Sequence, residues 1–132
     1  MFRIIRRVRR RKPTKHYSAH KETARAFVHA HVALYAKEHG FKYNRIAIRN
    51  SRRSWGSCSE LGNLNFHYRI IFLPQELAEY LIVHELCHLR ELNHSPQFWA
   101  HVEEIIPNYK EHKKNLMTHS GLATKTPSVL VV

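Results

Sequence analysis

Three histidines and one glutamate form the chemically most informative pattern in this chain of 132 residues. The segment HELCH places His84 and His88 four residues apart with Glu85 between them, and His94 follows shortly after. Residues four apart share one face of a helix, so the two imidazoles can bind one metal ion together. Zinc favours imidazole nitrogen, and a catalytic zinc site has three protein ligands and one position left for water. The pattern therefore predicts zinc on His84, His88 and His94, with Glu85 taking a proton from that water.

The flanking sequence predicts the elements that hold these residues. Apolar residues cluster opposite the histidines, which predicts a helix over 75–92 that buries one side and turns the histidines to a cleft. Asn93 tolerates the left-handed conformation that ends helices, and Ser95-Pro96 is typical of the start of the next helix. His94 is then expected in the link between two helices, where it can turn back toward the ion.

Other side chains with reactive or metal-binding groups are weaker candidates. A carboxylate of the next helix, Glu103 or Glu104, is the alternative third ligand. Cys87 is expected to be a small buried residue, because a fourth protein ligand would exclude water from the metal. Cys58 would be a nucleophile only with a histidine beside it. The remaining histidines near the C-terminus are expected to be solvated helix residues: His101, His112 and His119.

The rest of the sequence predicts an α+β domain with a short mixed or antiparallel sheet. A long helix is expected over 18–39, with Ser18 as its N-cap and Gly40 as its end. Apolar or alternating runs predict three short strands: 45–49, 54–58 and 64–72. Two C-terminal helices are predicted on either side of Pro107: 96–105 and 108–118.

Two parts of the predicted sheet have expected roles near the metal. The run Asn63–Tyr68 is our candidate for an edge strand that aligns an extended substrate. In the segment that begins with Trp55, packing is expected for the indole, and a close backbone approach is expected at Gly56. Three residues are candidates for stabilising an oxyanion, although each is more often an ordinary strand residue: His67, Tyr68 and Arg69.

Composition predicts one globular domain with a modest core, since 43% of residues are hydrophobic and 24% are charged. The net charge of +12 is concentrated at the start, where residues 1–15 carry eight Lys or Arg. We therefore divide the chain into an arginine-rich arm (1–16), a domain (17–118) and a tail (119–132). Two cysteines make no disulfide framework, and neither a secretory signal nor an apolar run of membrane length is evident, so a cytoplasmic location is expected.

Three longer strings carry a family resemblance. They are SWGSCSELGNLNFHYRIIFLP, EYLIVHELCHLRELNHSPQFW and IPNYKEHKK. Together they resemble the YgjP-like zinc metallopeptidase domain and are more distantly similar to the SprT and WLM domains. The resemblance implies a small zincin-like fold with a sheet above the active-site helix. It also implies zinc on His84, His88 and His94, with Glu85 as the catalytic carboxylate.

These observations predict a zinc-dependent peptidase that acts on a peptide or protein substrate. One alternative is nucleic-acid association through the basic residues 3–15, which would weaken with salt. The two functions are compatible, because proteins with SprT and WLM domains act on DNA-bound proteins. A further alternative is a zinc hydrolase of a non-peptide amide, because a metal with a carboxylate specifies hydrolysis better than it specifies the substrate.

Overall fold

The computed structural model describes residues 12–119. Four α-helices, three strands and a short 3₁₀ helix (Tyr68–Phe72) form this part of the chain. The first half contains α1 (Lys15–His39), β1 (Arg45–Arg49), β2 (Gly56–Cys58) and β3 (Asn63–His67). The second half contains α2 (Gln75–Cys87), α3 (Pro96–Ile105) and α4 (Tyr109–Thr118). Most of the predicted basic arm and nearly all of the predicted tail lie outside the described residues.

The long first helix confirms the prediction but begins earlier than expected. Its N-cap is Thr14, whose hydroxyl accepts a hydrogen bond from the backbone N–H of Tyr17 at 3.1 Å. Ser18, the predicted cap, lies inside the helix, because a threonine four residues earlier already satisfies the first free N–H groups. Gly40 ends the helix as predicted, in the left-handed conformation at φ 73°, where a side chain would be strained.

The sheet is mixed, and its strands lie in the order β1-β3-β2. β1 pairs with β3 in parallel, whereas β2 pairs with β3 in antiparallel fashion. The predicted edge, Asn63–Tyr68, is therefore wrong, because β3 has a partner on both sides. Among the described residues, β2 pairs with β3 alone and so has one edge without a strand partner.

The third strand is shorter than its alternating pattern predicted. Pairing ends at His67, which lies opposite Arg49, the last residue of β1. The chain then turns into the 3₁₀ helix, and the Nδ1 atom of His67 accepts a hydrogen bond from the N–H of Arg69 at 3.1 Å. Residues 68–72 have no neighbouring strand to pair with in the described sheet, so the alternation there does not form a ladder.

Helix α2 occupies the centre of the domain and packs against α1, α3, α4 and β2. Every residue from Tyr80 to Cys87 is buried, so the expected division of the helix into one buried side and one open side is wrong for this stretch. The helix also ends earlier than predicted, at Cys87 rather than near residue 92. Its last turn tightens, since the N–H groups of Leu89 and Arg90 bond to carbonyls three residues back. No described residue other than glycine has a positive φ, so Asn93 does not end it in the left-handed conformation.

The two C-terminal helices confirm the prediction closely. Ser95 caps α3 and accepts a hydrogen bond from the N–H of Phe98, with Pro96 in the first helical turn. This start orients the aromatic residues of α3 toward α2. Across the described residues, no helix is both long and apolar enough to cross a membrane.

Candidate metal centre

The structure brings the three predicted histidines together. His84 lies in the last turn of α2, His88 lies at its C-cap, and His94 lies in the link before α3. One ligand atom from each of the three lies within 4.8 Å of the others. His84 and His88 are buried, whereas His94 is exposed, so the cluster opens toward solvent on the His94 side. Glu103 and Glu104, the alternative third ligands, are exposed on α3 and are not part of this group.

The distance between two imidazoles fits a tetrahedral metal ion. The Nε2 atoms of His84 and His88 are 3.2 Å apart. Two nitrogens bound at about 2.0–2.1 Å to one tetrahedral ion would be about 3.4 Å apart. His94 offers a third nitrogen, and partial burial of its ring, together with the nearby His88 and Lys113, lowers its pKa to about 4. His94 is therefore neutral at physiological pH and has a lone pair for a metal ion.

Two hydrogen bonds around the histidines bear on their tautomers. The Nδ1 atom of His88 lies 3.0 Å from the carbonyl oxygen of Glu91, which can only accept, so Nδ1 carries the proton and Nε2 has the lone pair. The Nδ1 atom of His84 lies 3.4 Å from the hydroxyl of Tyr80, one turn earlier on α2. Burial raises the pKa of Tyr80, so this phenol stays neutral.

Two aromatic side chains of α3, Phe98 and Trp99, pack against the histidine cluster, and this contact was not predicted from the sequence. The Phe98 ring lies 4.9, 4.3 and 5.1 Å from the rings of His84, His88 and His94. Trp99 lies beside His84 and His94, and the Nζ atom of Lys113 is 4.3 Å from the centre of its ring. The only available signal was the Ser95 cap, which sets the direction of α3 but does not show what α3 faces.

Glu85 lies beside the cluster without exposure to solvent. The residue is 0% exposed, and among the described residues neither carboxyl oxygen has a hydrogen-bond partner. Oε1 lies 4.0 Å from the Nε2 atom of His88. Burial raises the pKa of Glu85 well above its ordinary value. A divalent cation held by the three imidazoles would lower the pKa of Glu85 again, because the positive charge favours the ionised carboxylate.

The close backbone approach predicted at Gly56 occurs against this carboxylate. A Cβ atom at Gly56 would lie 2.7 Å from Oε2 of Glu85 and 3.1 Å from the carbonyl oxygen of Asn65. Strand β2 therefore approaches the Glu85 carboxylate through a residue that has no side chain. Trp55, the preceding residue, is buried as predicted.

Several other predicted candidates lie in different surroundings. The Tyr68 hydroxyl is 2.7 Å from the Nδ1 atom of His16, and the Arg69 guanidinium lies over the Tyr68 ring, so neither contact supports a role in oxyanion stabilisation. Burial and the nearby Glu85 raise the pKa of the Cys58 thiol to about 12, which argues against a nucleophile. Cys87 is buried, as expected.

The expectation that the C-terminal histidines are solvated is wrong for one of them. His112 is buried on α4, where its ring lies 6.3 Å from the ring of Tyr80. His101 and His119 are partly exposed. The sequence does not show which side of α4 faces α2, so the burial of His112 had no local signal.

The comparisons with known proteins agree with this site. The profile of the YgjP-like metallopeptidase domain matches residues 7–119. The crystal structure of the metallopeptidase zymogen abylysin from Pyrococcus abyssi is similar with a TM-score of 0.65 and 25% sequence identity. That similarity covers 74% of this chain and 98% of the abylysin chain. No curated protein sequence matches significantly. With its zincin-like α+β fold and its metal-binding histidine triad, the chain belongs to the YgjP-like metallopeptidase family.

Proposed function

We propose that this metallopeptidase uses Zn²⁺ on His84, His88 and His94 and that Glu85 is its general base. The observation that carries the proposal is the 3.2 Å separation of two imidazole nitrogens with a buried carboxylate beside them. When bound, Zn²⁺ supplies a Lewis acid that lowers the pKa of a coordinated water toward about 7 and polarises the substrate carbonyl. Imidazole nitrogen is a preferred zinc ligand, and three such ligands leave a position for water.

Glu85 performs the proton transfers in this proposal. Its carboxylate takes a proton from the attacking water and delivers it to the amine nitrogen that leaves as the peptide bond breaks. Both carboxyl oxygens lack a described hydrogen-bond partner, so neither has to give up a protein contact when it accepts the proton. Burial among apolar residues strengthens the electrostatic interactions of this carboxylate.

The substrate is proposed to bind as an additional strand on the free edge of β2. An extended peptide gains backbone hydrogen bonds when it adds to an unpaired strand edge. β2 has such an edge within the described sheet, and its residue Gly56 contacts Glu85. A peptide paired there would lie about 4.8 Å from the strand that contacts the carboxylate. This assigns to β2 the role that we expected for Asn63–Tyr68.

One set of variants tests the metal and the base separately. Glu85→Gln should bind close to one zinc, as the natural chain does, while its cleavage of unfolded casein falls about 10²–10⁴-fold. His94→Ala should lose zinc affinity as well as activity, because a ligand is removed. Glu76→Gln is the matched control, since it removes an exposed carboxylate from the same helix. Equal cleavage by the natural chain and Glu85→Gln, or a natural chain that binds no zinc, would contradict the proposal.

A further inference from the structure

The outer face of the sheet, on the side away from α2, carries a cavity of about 260 Å³ next to β2. Its polar lining comes from the three strands and from the loop between β1 and β2: Arg49, Ser51, Ser54, Ser57, Asn65 and His67. No carboxylate lines the cavity among the described residues. Arg52 and Arg53 are exposed on the same loop and add positive charge nearby. The cavity is therefore suited to a negatively charged group.

A row of hydrogen bonds orients the polar groups across the three strands. Arg49 donates through Nε to Oδ1 of Asn65 at 3.2 Å, and Asn65 donates through Nδ2 to Oγ of Ser57 at 3.1 Å. Ser57 accepts in this row, so its own O–H can be donated to a ligand. Arg49 uses only its Nε atom here and pairs with no acidic side chain in the described part of the chain. Its terminal nitrogens can therefore donate to a carboxylate.

The geometry of β2 connects this cavity to the proposed substrate strand. Successive residues of a strand point to opposite faces, and residues paired across strands point to the same face. Gly56 faces Glu85, so its neighbours Trp55 and Ser57 face the outer side, where both line the cavity. A peptide strand that pairs with β2 would lie about 4.8 Å from it. The peptide residues opposite Trp55 and Ser57 would then direct their side chains to the outer face as well.

We infer that the outer-face cavity is a substrate subsite for an aspartate or glutamate side chain within one residue of the scissile bond. Arg49 supplies the charge that recognises the carboxylate, and Ser57 supplies a hydroxyl donor beside it. The inference rests on the proposed function, because it takes the substrate to pair with β2. It goes beyond that function by naming a preference for acidic substrates.

The test uses quenched fluorescent hexapeptides of alanine and leucine that are identical except for one Glu or Gln, placed in turn at each central position. At one position, the natural chain should cleave the Glu peptide with a kcat/KM about tenfold above that of the Gln peptide, as expected for one partly exposed charged hydrogen bond. Arg49→Gln should bring this ratio close to one, whereas Arg49→Lys should retain a preference for Glu.

Arg45→Gln is the matched control. Arg45 is exposed on the same strand, and its even spacing from Arg49 puts both on one face, yet it does not line the cavity. The ratio should therefore stay near tenfold in this variant. A ratio that falls equally in Arg45→Gln and Arg49→Gln would indicate a general charge effect and would overturn the subsite.

Binding of the same peptides to Glu85→Gln, measured by calorimetry, separates this inference from the proposed function. Equal cleavage of the Glu and Gln peptides at every position would overturn the subsite and leave the peptidase intact. The Glu peptide could bind more tightly than the Gln peptide, and this difference could disappear when Arg49→Gln is added. If the natural chain then cleaves neither peptide, the result would support the subsite and contradict the proposed peptidase function. Equal binding together with no cleavage would overturn both.

Discussion

The inner face of the sheet, which lies toward α2, and the outer face differ in how their polar side chains are hydrogen-bonded. On the inner face, Gly56 lies against the carboxylate of Glu85, which is fully buried and has no described hydrogen-bond partner. On the outer face, Arg49, Asn65 and Ser57 bond to one another in a row that remains partly open to solvent. Neighbouring residues of one strand, Gly56 and Ser57, therefore belong to two different environments.

The difference matches the two roles proposed above, proton transfer at Glu85 and substrate recognition at the outer cavity. A buried polar group without a hydrogen-bond partner is costly, and in native proteins such a group calls for an explanation, for example a catalytic role or a nearby ion. Glu85 is such a group on the inner face, and it lies beside the metal-binding histidines. On the outer face, Arg49, Asn65 and Ser57 bond to one another, although the buried indole N–H of Trp55 has no hydrogen-bond partner among the described residues. Substitutions on the two faces should therefore differ in kind as well as in size.

The largest effect is expected from Gly56→Ala on the inner face. The new methyl group would lie 2.7 Å from Oε2 of Glu85, so the carboxylate must move. Misplacing a catalytic group by about 1 Å lowers the rate roughly 100-fold, and we expect a loss of this size in peptide cleavage with zinc binding retained. In the Glu85→Gln background, Gly56→Ala should cause little further loss. If Gly56→Ala lowered peptide cleavage equally in the natural chain and in Glu85→Gln, its effect would not act through Glu85.

A smaller effect is expected from the pH dependence of His67, which lies at the outer cavity. Burial is the main cause that lowers the pKa of His67 to about 4, from 6.5 in an unfolded chain. Between these values the unfolded state binds more protons, so stability is fully present above pH 6.5 and is lost as the pH falls. By linkage, the loss between pH 7 and pH 5 is about 2 kcal/mol.

Urea unfolding of metal-free protein at several pH values measures this contribution. His67→Asn keeps a hydrogen-bond acceptor near the N–H of Arg69 but cannot titrate, so its free energy of unfolding should fall less steeply with acid. Comparing slopes removes the constant cost of the smaller side chain. Parallel pH profiles for the two proteins would show that His67 is not held neutral by the fold.

The smallest effect is expected from Ser57→Ala in the outer row. The variant removes one acceptor of Asn65, but water can replace it because both residues are partly exposed. We expect the free energy of unfolding in urea to fall by about 0.5–1 kcal/mol. Ser54→Ala is the matched control, since Ser54 also lines the cavity but takes no part in the row. A loss well above 2 kcal/mol would mean that the two faces do not differ as described.

The histidine cluster was predictable because its geometry is local. The spacing of His84 and His88 places both side chains on one helix face, and Ser95-Pro96 marks the restart that puts His94 in a short link. These features depend on a few neighbouring residues, and the structure brings the three imidazoles together. The close approach at Gly56 was also predicted, although its partner, Glu85, was not.

The features that were predicted wrongly depend on distant parts of the chain. The alternation of Asn63–Tyr68 indicates a strand, but it does not show that two other strands cover both of its edges. The helix that carries His84 looks amphipathic in sequence, yet packing against α1, α3, α4 and β2 buries every residue from Tyr80 to Cys87. His112 and Phe98 gain their surroundings from the same packing.

The strand order has a consequence for how the domain folds during synthesis. The chain leaves β1, forms the far strand β2, and only then supplies the middle strand β3, with α2 following directly. A nascent chain that stops before residue 63 lacks the strand that lies between β1 and β2, so the native sheet cannot form until β3 is synthesised. The free edge of β2 and the helix that carries Glu85 are thus expected to assemble almost together, which limits the time in which an incomplete domain could bind other polypeptides without cleaving them.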